Sequence, residues 1–368
     1  MYSQQELDDA VASGVITSKA ADALRAHVEQ QRSTAIPDEE QFRLITGFND
    51  IFVSIAAAIL LVAVGWIGQW VGQRTGVIIE TDGPSPFAPL FVTITSWGLA
   101  TFFTAKRRMA LPSILLLLSF VFGTFATAMF GLVVGIGSDQ VDHNNALAGV
   151  IAAASAAIAG GAAWLHWRRF HVPITIAAGA ASAAALVVGL VVAALGQNVE
   201  AAKNVILGLV LFLGVGVFLF AMWWDSSDRS RLTRRSDVAF WLHLLAAPMI
   251  AHPVFTLLGL NSGSVSTGEA LTVVGLYVLF GLTALAVDRR ALLVSALAYV
   301  LYALTELFKQ FGAVELNIAL TALVIGSALL LLSAFWHQAR AAVVKPLPES
   351  LQARLPVLNR VVVSQPAA

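Results

Sequence analysis

Ten apolar stretches, each long enough to cross roughly 30 Å of hydrocarbon, recur along the chain at about residues 50 to 72, 87 to 105, 111 to 136, 146 to 165, 172 to 195, 205 to 224, 237 to 260, 271 to 287, 291 to 309 and 314 to 336. In hydrocarbon the backbone N–H and C=O groups must bond within the segment or to a closed ring of strands. The runs are continuous rather than alternating, which argues against a membrane β-barrel. The sequence therefore predicts an all-α fold, a polytopic transmembrane helical bundle of about ten spans. Charged residues make up only 12% of the chain, against roughly 25% in a typical soluble domain.

Charge sets the expected orientation. Four basic residues, Lys19, Arg25, Arg32 and Arg43, precede the first span, and Lys106, Arg107, Arg108, Arg168 and Arg169 follow the second and fourth. The same side then takes Arg229, Arg231, Arg234, Arg235, Arg289, Arg290, Arg340, Lys345, Arg354 and Arg360. Only Arg74, Lys203 and Lys309 fall on the other. Because retained cytoplasmic loops carry the Lys and Arg excess, this pattern predicts a cytoplasmic N-terminus, a cytoplasmic C-terminus and an even number of spans.

Net charge is zero and there are no cysteines. The first gives no field that would draw the protein to nucleic acid, and the second excludes disulfides and thiolate metal sites. No phosphate-binding loop, nucleophile elbow or zinc-protease motif is present. The expectation is no catalytic residues, no metal and no cofactor. An intramembrane enzyme using His and carboxylate groups is the least supported reading.

Residues 1–48 are expected to form a cytoplasmic helical pair, residues 49–337 the bundle, and residues 338–368 a cytoplasmic tail, partly amphipathic or disordered. Ser3 and Glu6 have capping-box spacing, Gly14 reads as a helix stop, and a second helix begins after Thr17 or Ser18. Two short helices bury little surface alone. Residues 1–45 are therefore expected to dock on the bundle, on a protein partner or on another copy of the chain. The run from Glu6 to Leu24, ELDDAVASGVITSKAADAL, together with FRLITGFNDIFVSIA from Phe42 to Ala56, resembles uncharacterised bacterial polytopic membrane proteins that carry a short N-terminal helix pair, a domain of unknown function. That resemblance covers about the first sixty residues and implies a multi-pass protein of the bacterial cytoplasmic (inner) membrane; it implies no activity.

Within the spans, the seventh contains His243, Pro248, His252 and Pro253. Proline removes a donor and clashes one turn back, so this helix is expected to kink or break. Glu306 in the ninth span lies at a depth comparable to His252, and intramembrane ionisable residues usually face a partner or water. His252, Glu306 and His243 are thus the candidate polar site, although Glu306 also has i, i+3 spacing to Lys309. Ser119 and Thr127, with Gly123 and Gly131, form a polar stripe in the third span that suits close packing or a pore lining. Similar small-residue stripes run through Ala148, Ala152, Ala156 and Gly160, and through Thr175, Gly179 and Ala183.

The recurring pairs Arg107 and Arg108, Arg168 and Arg169, and Arg289 and Arg290, with Trp167, read as contacts to anionic lipid headgroups on the cytoplasmic side. His166 and His171 flank one such turn and share that reading. Two functions remain. One is a non-catalytic membrane component acting through its N-terminal module. The other is a transporter or channel for a small solute or ion built around the seventh span.

Overall fold

The computed structural model describes residues 10–24, 48–199, 201–229, 231, 233–258, 266–310 and 316–358. The chain divides into two compact units, residues 1–42 with 357–368, and residues 43–356. In the first, a helical turn ends at residue 12 and Gly14 takes φ +73°, with Val15 N donating to the Ala10 carbonyl at 3.0 Å. Left-handed backbone of this kind favours glycine. The Thr17 side chain then accepts from Ala20 N, opening the helix at 18–24, in which Ala21 is fully buried. Ser3 and Glu6 lie outside the described residues.

The larger unit is helical, with no strand among the described residues. Its longer helices among the described residues are α1 (Phe48–Thr75), α2 (Phe87–Phe103), α3 (Ala110–Ile136), α4 (Asn145–Phe170), α5 (Ile174–Leu195), α6 (Lys203–Ser227), α7 (Arg234–Leu257), α8 (Thr267–Val287), α9 (Ala291–Gln310), α10 (Asn317–Ala334) and α11 (Trp336–Val344). Among the described residues nine are long and apolar enough to cross a membrane, α1 and α3 to α10. The chain is therefore built as a multi-pass membrane protein. α2 coincides with the expected second span but has 17 residues, about 26 Å at 1.5 Å per residue. Its start is fixed by Ser85, which is buried, accepts from Phe87 N and has its own N–H bonded to Gln69 on α1.

Neighbouring helices pair as hairpins, α2 with α3, α4 with α5, α6 with α7 and α8 with α9, while α7 also packs on α5 and α9. Backbones meet where side chains are smallest. A Cβ on Gly189 would sit 2.8 Å from Ala153 N, and one on Gly149 would collide with the backbone of Ala193, so α4 and α5 cross at two small-x-x-x-small pairs. In the sequence stripe Ala148, Ala152, Ala156 and Gly160, the first two are one residue out of phase with this contact, whereas Ala156 is buried and a Cβ on Gly160 would meet Ser182 of α5 at 3.6 Å. On α3, Gly123 approaches Thr93 and Pro89 of α2, and Thr127 donates its hydroxyl to the Gly123 carbonyl of its own helix at 2.7 Å. Ser119 is half-buried.

α7 runs unbroken through Pro248 and Pro253, so of the expected kink or break, the break does not occur. Half of its apolar window is enclosed by other helices, more than in any of the other eight. Neighbours packed this closely hold a helix together across the bond that proline removes.

Candidate functional site: a buried chain of charges at one end of the bundle

The turns α2–α3, α4–α5, α6–α7 and α8–α9 share a feature that hydropathy does not carry. Among the described residues each contains one left-handed non-glycine residue, Arg108, His171, Arg231 and Asp288, at successive intervals of 63, 60 and 57 residues. A residue in this conformation commonly ends a helix and lets the chain reverse. His171 and Asp288 cap α4 and α8 in this way. The turns also carry the arginine pairs, but the pairs do different work.

Arg107, Arg108, Arg168 and Arg169 are exposed. Arg107 lies over the Phe102 ring, Arg168 over Trp164 and Arg169 over Phe170. Trp167 is half-buried, its ring beside that of His171. Arg289, expected at the headgroups, is instead only 3% exposed. Its place is inside the protein because a carboxylate waits there. Asp225, fully buried near the end of α6, accepts from Arg289 Nη2 at 2.7 Å through Oδ1 and from Arg289 Nε at 3.3 Å through Oδ2. This two-pronged pairing is the strong form of an arginine–carboxylate contact. Arg289 Nη2 also donates to the Ser236 carbonyl on α7 at 3.0 Å.

His243 on α7 completes the set around Asp225. Its Nε2 donates to Asp225 Oδ2 at 3.1 Å, and its ring meets Phe218 edge-on. The chain of charges continues outward through Arg231, whose Nε lies 3.9 Å from Asp225 Oδ1 and whose Nη1 donates to Asp288 Oδ2 at 2.9 Å. Asp288 in turn accepts from the Trp336 indole at 2.8 Å and lies 3.7 Å from Arg340 Nε. Two carboxylates thus alternate with three guanidinium groups across α6, α7, the α8–α9 turn and α11. Arg229 donates to the Leu355 and Gln352 carbonyls, and Arg340 to the Pro356 carbonyl, which ties residues 352–356 to the same end. The expected tail from 338 therefore packs as part of the larger unit as far as residue 356.

Among the three candidate polar residues, His243 belongs to this cluster and the other two do not. His252 is exposed on α7, its Nδ1 2.7 Å from the Tyr299 hydroxyl of α9. Glu306 is bonded to Lys309 at 2.7 Å. Among the described residues no hydrogen bond or ion pair joins His252 to Glu306. His166 is also not at the headgroups. It is fully buried, ringed by Trp97, Phe120 and Phe170, with Thr175 Oγ1 3.4 Å from Nδ1.

Asp225 and Asp288 are the members of this cluster that sequence reading passed over; Asp225 is the instructive one. It follows two tryptophans and precedes two serines, a composition that reads as the wet edge of a span. The available signal was an acidic residue on the arginine-rich side at a span boundary. Among the described residues no cluster of three or more His, Asp or Glu residues has the spacing to hold a metal ion. Comparison with protein-family models, with curated proteins and with solved structures finds no match to this chain.

Proposed function

We propose that the protein is a non-catalytic component of the bacterial cytoplasmic membrane, with both termini cytoplasmic and α2 counted as a tenth span, acting through residues 1–45 on a protein partner or a second copy. The observation that carries this reading is how the buried charges of the bundle are used. Asp225, Arg231, His243, Arg289, Asp288 and Arg340 bond to one another and to backbone carbonyls. Charges engaged in this way brace helices. A solute path needs polar groups that exchange partners with its cargo. Six threonine hydroxyls are used in the same way, since Thr93, Thr124, Thr127, Thr272, Thr283 and Thr305 each donate to a carbonyl of their own helix, while those of Ser96, Thr104 and Ser155 are buried without a hydrogen-bond partner among the described residues.

The test combines a deletion with a flux assay. Removing residues 1–45 should reproduce the phenotype of removing the whole gene while the bundle still inserts. The full protein in liposomes should leave proton and cation leak at the level of empty vesicles. A flux that disappears in His252→Phe would instead favour the transporter or channel reading, whose support is the His252–Tyr299 pair on the proline-bearing helix. Full activity without residues 1–45 would count against the module.

A further inference from the structure

Arg290 stands apart from its neighbours. Arg231, Arg289 and Arg340 all have carboxylate partners, whereas among the described residues Arg290 makes no ion pair. Its guanidinium lies 4.7 Å over the Trp336 ring, and the indole is itself fixed by its bond to Asp288. The cation is thus held in place without being neutralised. It forms the polar rim of a groove of about 180 Å³ between α8, α9, α10 and α11.

The groove changes character with depth. Arg290, Ser333 and Trp336 line it at the arginine-rich end, and Leu293, Val294, Leu297 and Leu329 line the rest. Leu297 lies about 10 Å along α9 from Arg290 at 1.5 Å per residue. Tyr277 on α8 also lines it, and its hydroxyl is buried with no hydrogen-bond partner among the described residues. A fixed cation at the mouth of an apolar trough is complementary to one class of molecule.

We propose that this groove holds one anionic phospholipid, its phosphate on Arg290 and Ser333 and one acyl chain along Leu293, Val294, Leu297 and Leu329. Charge complementarity selects the headgroup, because an uncharged or zwitterionic lipid fills the trough equally well but leaves Arg290 without a net counter-charge. The proposal rests on the chain being a membrane protein. It does not depend on the role of residues 1–45, so the deletion and flux results above leave it standing.

Native mass spectrometry of the full chain in uncharged detergent tests it, with phosphatidylglycerol and phosphatidylcholine of identical acyl chains as probes. One phosphatidylglycerol per chain should bind about tenfold more tightly than phosphatidylcholine, the scale of one charge-assisted contact. Arg290→Gln should remove that preference. Val294→Trp, at a position 65% exposed on the groove wall, should block both lipids without touching the charged cluster. Arg168→Gln, an exposed arginine over Trp164, should change nothing. Unaltered preference in Arg290→Gln, an equal loss in Arg168→Gln, or full binding by Val294→Trp would overturn the site. Displacement of the lipid by excess inorganic phosphate would assign Arg290 to free phosphate and overturn it equally.

Discussion

Asp225→Asn is the sharpest perturbation of the charged cluster, because it preserves shape and one acceptor while removing a single charge. At an effective dielectric near 20, a 2.7 Å contact between unit charges corresponds to about 6 kcal/mol of gross attraction. Arg231 at 3.9 Å adds about 4 kcal/mol on the same basis. Most of this is offset by the cost of taking the three charges out of water. The mutant keeps that cost for the arginines and loses the attraction. Arg289 has a side chain only 4% exposed, so water cannot replace the lost carboxylate. The expected destabilisation is about 3–5 kcal/mol.

Unfolding in mixed micelles by titration with sodium dodecyl sulfate, followed by circular dichroism, measures it. Combining Asp225→Asn with Arg289→Gln should cost less than the two single changes together by at least about 1 kcal/mol, since the double variant buries no unpaired charge at that contact. A single variant within about 0.5 kcal/mol of the parent, or strictly additive effects, would refute the argument that Asp225 compensates buried arginine.

Two further outcomes follow from backbone geometry and charge. Gly149→Ala should lose about 1–3 kcal/mol, because its Cβ would collide with the backbone of α5, whereas Gly161→Ala, with nothing within 4 Å, should gain about 0.5–1 kcal/mol as an ordinary helix substitution; the same titration reads both. The chain lacks cysteine, so single cysteines introduced at Arg107, Arg168 and Lys345 should all be shielded from an impermeant maleimide in intact cells, and one at Lys203 should be labelled. A cysteine at Arg74, exposed at the other end of α2, should be labelled as well, and equal protection or equal labelling of Arg74 and Arg107, which α2 alone separates, would mean that α2 does not complete a crossing.

The helices were legible because their cause is local. A run from Ala146 to Leu165 has no alternative to helix in hydrocarbon, and α4 indeed spans Asn145–Phe170. The shortfall at α8 was also local. Ser266 and Glu269 form a complete capping box, which hydropathy alone places outside the span expected to start at residue 271. The partnership of Asp225 with Arg289 was not legible, since the two are 64 residues apart. Which face of α6 turns toward the α8–α9 turn depends on helix rotation and crossing, to which an apolar run is nearly indifferent. His243 was recognised from its own position, but its partner was not. Counting only Lys and Arg treated Arg289 and Arg290 as equivalent anchors, when the acidic residues nearby give them opposite environments.

The bonds from Arg229 to the carbonyls of Gln352 and Leu355 reach 123 and 126 residues ahead in the chain. Synthesis proceeds from the N-terminus at about 5–20 residues per second. The α6–α7 turn therefore waits several seconds after its own translation before the segment that satisfies it exists. During that interval the two carbonyls that accept from Arg229 are not yet part of the chain. The end of the bundle that carries the charges is consequently the last to be sealed in biogenesis, and a stalled or shortened product would present an open arginine cluster by which the membrane's quality-control proteases could tell it from the finished protein.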